Sequence, residues 1–174
     1  MKNEDCTLCG LRQNCSRVIV GRGSKPAKLM IVGESPSIDD DLIGEHLLSR
    51  EGFYVKNIFF KHGINFHNTY FTYTVKCFGE NKKIHRETCK FWLNKEIQEV
   101  NPEIILCLGL LPTNVLTGCK RLYDVIGQEK DYNNTVIIPW YGLNKIYIGG
   151  HEIVQKTIEL VERIKSRIGS VKRN

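Results

Sequence analysis

Three short apolar runs set the limits on what this chain can fold into. Residues 27–33, A-K-L-M-I-V-G, form an apolar run closed by a glycine, and residues 103–109, E-I-I-L-C-L-G, repeat the pattern. Residues 69–75, T-Y-F-T-Y-T-V, are rich in aromatic and β-branched side chains. Runs without polar alternation suit strands buried on both faces, which requires helices on each side of a largely parallel sheet. Helical patterns fall between them, over 46–61 with an interruption near Gly52, and over 87–100, where Phe91, Leu93, Ile97 and Val100 share a stripe. A short helix is predicted over 110–116 with Pro112 in its first turn, and a final amphipathic one over 152–168 with Ile153, Ile158, Val161 and Ile164 facing inward. Two further strands are predicted at T-V-I-I-P and K-I-Y-I-G. Alternation of this kind predicts an α/β sandwich.

A chain of 174 residues with 41% hydrophobic content can bury one sizeable core, so a single domain over 1–174 is expected. The start lacks an apolar leader and no stretch reaches membrane-spanning length, which predicts a soluble, cytoplasmic protein without a membrane partner. Net charge is +6, and the excess is uneven: Lys82, Lys83 and Arg86 cluster around His85, and the tail K-S-R-I-G-S-V-K-R-N has no acid. Such clusters suit a polyanion such as nucleic acid, and equally suit a solvated surface and a frayed helix end.

Seven cysteines need an explanation in a reducing compartment. Cys6 and Cys9 stand two residues apart, close enough for both thiolates to reach one metal, and Cys77 and Cys89 bracket the basic segment. Sulfur ligation suits zinc or an iron–sulfur cluster, and spacing does not separate the two. Small buried thiols are the plain alternative, and they account for Cys107 and Cys119, while Cys15 could add a third N-terminal ligand.

Glu34 directly follows the first run, and Asp39, Asp40 and Asp41 share its loop, at the end of a strand where open α/β sheets place ligands. A carboxylate there can hold a water as general base; otherwise it is loop polarity or a helix cap. His151, in I-Y-I-G-G-H, reads as following a strand and two glycines, where it could donate to a developing anion or simply pack at a helix start.

The order C-T-L-C-G-L, V-I-V-G-R-G, A-K-L-M-I-V-G-E-S-P, D-x2-G, V-K-C, a basic loop, C, L-G and G-H resembles the iron–sulfur, family 4 branch of the uracil-DNA glycosylases. The resemblance runs from Cys6 to about His151. It implies a three-layer α/β/α sandwich around a central, mainly parallel four-stranded sheet, and a [4Fe–4S] cluster on Cys6, Cys9, Cys77 and Cys89. It further implies hydrolysis of the N-glycosidic bond of an extruded uracil or related base in DNA, in the manner of base excision repair. Glu34 and Asp40 would position water and offset sugar charge, and His151 would stabilise the departing base. Gly33, Ser35, Pro36, Leu47 and Tyr73 would line the base site, and Lys82, Lys83, His85 and Arg86 would meet the DNA backbone. A monomer is implied, with replication or repair proteins as further partners; an iron–sulfur DNA-binding accessory is the alternative on the same fold. The chain departs from the family where a base-stacking Phe is replaced by Leu47, where a uracil-reading Asn is replaced by Tyr73, and where H-P-S becomes H-E-I at 151–153.

Overall fold

A computed structural model describes residues 3–80 and 82–169. Six strands form one sheet in the order β1-β3-β2-β4-β6-β5. Its centre comprises β2 (Leu29–Gly33), β3 (Thr69–Tyr73), β4 (Ile104–Leu108) and β6 (Thr135–Trp140), all mutually parallel. Two short antiparallel strands, β1 (Arg22–Gly23) and β5 (Lys130–Tyr132), close the edges. The predicted four-stranded parallel core is present, extended by one strand on each side.

Alternation along β2 separates two cores. Leu29 and Ile31 face a layer of α2 (Arg50–Lys61), α5 (Leu143–Ile148) and α6 (Gly150–Gly169), packing with Val55, Phe59, Ile146, Leu160 and Val161. Met30 and Val32 face α3 (Lys83–Val100) and α4 (Leu110–Thr117), packing with Leu93, Val100 and Leu116. The result is an α/β/α sandwich. Among the described residues no helix is long and apolar enough to cross a membrane.

Three local expectations are corrected. K-I-Y-I-G is not a strand but the body of α5, in which Ile146 is buried while Ile148 is exposed; short apolar runs carry little periodicity to separate the two states. His151 therefore follows α5 rather than a strand. The acidic loop contains a helix, α1 (Ile38–Ile43), opened by a reciprocal cap in which Asp40 N–H donates to Ser37 Oγ at 3.2 Å and Ser37 N–H donates to Asp40 Oδ2 at 2.7 Å. On α3, Phe91 is 59% exposed; the buried stripe is Cys89, Trp92, Leu93, Glu96 and Val100. The predicted inward face of α6 is largely right, with Ile158 only partly buried and Leu160 added. Residues 170–174 of the basic tail lie outside the described residues.

Candidate functional site

Parallel strands deliver their C-terminal ends to one rim of the sheet, and the loops leaving that rim carry the polar side chains. Glu34 follows β2 directly and is exposed. Its Oε1 accepts the Leu111 N–H at 3.3 Å, a donor in the first turn of α4. Gly109, at the end of β4, makes this approach possible: its φ is 110°, and a Cβ there would lie 2.3 Å from Glu34 Oε1.

Two adjoining clefts open beside Glu34. One, of about 420 Å³, is lined by Glu34, Arg86, Leu110, Leu111, Asn114 and Lys120. The other, of about 390 Å³, is lined by Lys83, Arg86, Glu87, Lys90, Asn114 and Val115. Arg86 and Asn114 belong to both, so a cationic groove between α3 and α4 leads to the carboxylate. Arg86 and Lys83 had been expected near a polyanion; Lys90 and Lys120 had not. Lys90 lies four residues after Arg86 and seven after Lys83, a helical spacing that a reading confined to the loop overlooked. Lys82 and His85 line neither cleft: His85 Nδ1 accepts the Lys82 N–H at 3.1 Å where α3 begins.

Of the predicted base-site residues, Gly33, Leu47 and Tyr73 form a closed group with Asp40. Tyr73 is buried at the end of β3, and its ring abuts Gly33 so closely that a Cβ on Gly33 would lie 2.9 Å from it. Tyr73 OH donates to Asp40 Oδ2 at 2.8 Å and accepts the Leu47 N–H at 3.1 Å. Burial, followed by the charge of Asp40, pushes the phenol's pKa up, which keeps it a donor at neutral pH. Asp40 is itself 1% exposed, and its Oδ1 accepts the Leu48 N–H at 2.8 Å. Both of its oxygens are thus engaged in holding the loop and Tyr73. Pro36 is buried and Ser35 half-buried between the two groups in sequence. His151 is exposed on the first turn of α6 and lines neither cleft.

The cysteine expectation is overturned. Cys6, Cys77 and Cys89 share an apolar cluster with Leu11, Val18, Val75, Trp92 and Leu111, and Cys9 and Cys15 pack against it. Among the described residues, however, no group of three or more His, Cys, Asp or Glu side chains is arranged to hold a metal ion, which removes both the [4Fe–4S] cluster and the zinc alternative. The sulfurs serve as packed thiols: Cys6 Sγ accepts the Trp92 indole N–H at 3.2 Å, and burial raises the pKa of Cys77 and Cys89. All seven cysteines are free thiols.

Comparison with known proteins agrees with this architecture. A 171-residue match to the type-4 uracil-DNA glycosylase of Thermotoga maritima is 26% identical and covers 94% of this chain and 89% of that protein. The type-4 uracil-DNA glycosylase of Archaeoglobus fulgidus is 28% identical over 60% of this chain and 54% of its own length. That of Pyrobaculum aerophilum is 26% identical over 74% and 64% respectively. The profile of the Uracil DNA glycosylase superfamily matches residues 20–147, from just before β1 into α5, taking in Glu34, Tyr73 and Arg86 and ending before His151. With four parallel central strands, a carboxylate at their rim and a match over that whole framework, the chain belongs to the uracil DNA glycosylase superfamily.

Proposed function

We propose that the protein is a DNA glycosylase that hydrolyses the N-glycosidic bond of uracil or a related base, as the type-4 relatives are named for doing. The observation that supports this best is the placement of Glu34, an exposed carboxylate on the wall of a cleft whose other polar residues are Arg86, Asn114 and Lys120. The cationic groove takes the phosphate backbone, largely independent of sequence. Glu34 orients a water and accepts its proton as the water oxygen bonds to the sugar C1′; the C1′–N bond breaks and the base departs with the electron pair, later gaining a proton from solvent. Arg86 and Lys120, on the wall of the same cleft, hold the phosphates that flank the target nucleotide. Asp40, through its bond to Tyr73, acts as a positioning residue.

The test is incubation with single- and double-stranded oligonucleotides carrying uracil, hydroxymethyluracil or hypoxanthine, followed by alkaline cleavage and gel analysis. Glu34→Gln should lower the single-turnover rate by on the order of 100-fold. His151→Ala should also lower it strongly, as expected of a residue that stabilises the departing base, and a rate within about 3-fold of wild type would refute that role. A Glu34→Gln protein as fast as wild type would refute the role given to Glu34.

Arg86→Ala should weaken binding to oligonucleotides of any sequence and reduce the slope of log affinity against log salt by about 0.7 on single strands or 0.9 on duplex. Fluorescence anisotropy between low and moderate salt measures this; an unchanged slope would place the backbone elsewhere. The closed group at Tyr73 favours a second reading, DNA binding without base excision, as in a replication or repair accessory. That reading is supported if every modified strand stays uncut while salt-dependent binding persists.

A further inference from the structure

The segment that closes the Tyr73 group is a short strap held at both ends by left-handed residues. Gly44 has a φ of 88° and Leu47 a φ of 59°, a conformation that a leucine rarely adopts. Between them lies His46. Its imidazole stacks on the Tyr73 ring, with centroids 5.3 Å apart and planes inclined by 24°, and meets Phe71 edge-on at 5.2 Å. Its Nε2 is buried and, among the described residues, has no hydrogen-bond partner. The strap is latched from outside by an ion pair between Arg22 and Glu45, two exposed side chains of the kind that hold weakly.

We infer that His46 is a removable plug: its imidazole fills the slot in which an extruded base stacks on Tyr73, and the base enters as the 45–47 strap swings outward. This rests on the glycosylase reading. Tyr73 is a suitable platform because an aromatic face accepts any planar base without reading its edge. The ring that must leave has reason to do so, since water gives Nε2 the partner that it lacks inside. The strap lies between the last residue of α1 and the first of α2, and its outward swing breaks the Leu47 N–H bond to Tyr73 OH and exposes the buried Leu47 side chain. A base seated on Tyr73 would also lie next to Gly33, the residue before Glu34, and so within reach of the carboxylate's loop.

The plug is tested with wild type, His46→Ala and His46→Phe. Two probe strands are compared by fluorescence anisotropy: one carries a single 2′-fluoro-deoxyuridine, which resists hydrolysis, and the other a tetrahydrofuran abasic site in its place. The ratio of their affinities is the base-specific increment. His46→Ala should raise that increment about 10-fold, the worth of one base–aromatic stack, with abasic-strand affinity unchanged. His46→Phe, which keeps a ring in the slot and needs no partner for a nitrogen, should leave an increment at or below that of wild type. An unchanged or smaller increment in His46→Ala, or a larger one in His46→Phe, overturns the plug. Free uracil, followed by saturation-transfer NMR, provides an arm independent of DNA: signal is expected with His46→Ala and not with wild type. Equal signal in both, or none in either, overturns the plug whatever the DNA result. Failure of all three proteins to bind either strand, with the expected NMR difference, overturns the glycosylase reading and leaves the slot standing. Thermal melts of each variant confirm that it is folded.

Discussion

Lys76→Met should destabilise the protein by about 3–5 kcal/mol, the range found when one partner of a buried ion pair is removed. Lys76 is 1% exposed, and its Nζ donates to Glu96 Oε2 at 2.6 Å, to the Tyr73 carbonyl at 2.7 Å and to Thr72 Oγ1. Glu96, on the inner face of α3, accepts the Gly21 N–H at 3.1 Å and Thr72 Oγ1–H at 2.8 Å. Without the ammonium, a buried carboxylate loses the charged partner 2.6 Å away, which is why the loss exceeds that of an ordinary hydrogen bond. A Lys76→Met, Glu96→Leu double variant should recover a substantial part, because removing both charges also removes their desolvation cost. Urea unfolding of the four proteins gives the coupling; a single-variant loss below about 1 kcal/mol would mean that the pair is solvated in solution.

Acidification should cost wild type up to about 3 kcal/mol more than His46→Phe between pH 7 and pH 4, a figure from about 1.4 kcal/mol per unit of pKa shift. Burial first, and then the charge of Lys76, lowers the His46 pKa from 6.5 to about 4; Arg22 acts in the same direction, while Asp40 and Glu45 oppose it. A histidine exposed by unfolding, or by withdrawal of the strap, binds its proton near pH 6.5, before the closed form does. The closed form is therefore at full strength above pH 6.5 and loses ground as pH falls toward 4. Urea midpoints across this range, for wild type against His46→Phe, measure the difference. Parallel curves for the two proteins would show that the imidazole is not buried. The same titration should enlarge the base-specific increment of wild type as pH drops to 5, with His46→Phe showing no such gain.

Sequence pattern was most informative where burial is simple. β2 and β4 are legible because every residue from Leu29 to Gly33 and from Ile104 to Leu108 is buried, which leaves an unbroken run. Glu34 is legible for a related reason, since the residue after such a run must emerge at the rim. Legibility failed where chemistry departs from residue type. Lys76 and Glu96 belong to residue types that are mostly exposed, yet both are buried as an ion pair. The cysteine spacing rightly implied proximity, but proximity is not ligation, and the sulfurs pack as thiols. Tyr73 could be seen as a departure from the family's amide; that its hydroxyl would join Asp40 to the backbone of Leu47 depends on contacts 33 and 26 residues away along the chain. The pattern over 46–61 places His46 in a helix, whereas α2 begins only at Arg50 and His46 lies on the segment before it.

The two edge strands carry a consequence for how this protein meets other copies of itself. A parallel sheet ending in a long, flat, apolar strand would offer a row of unpaired backbone groups on which a second chain could template. Here β3 is covered by a two-residue strand of exposed Arg22 and Gly23, and β6 by three residues bearing Lys130 and Asp131. Each cap is too short and too charged to continue the ladder. The buried strands that create the rim are thereby kept out of lateral aggregation, so that a concentrated solution of the folded chain presents its loops and helices, rather than its sheet, to its neighbours.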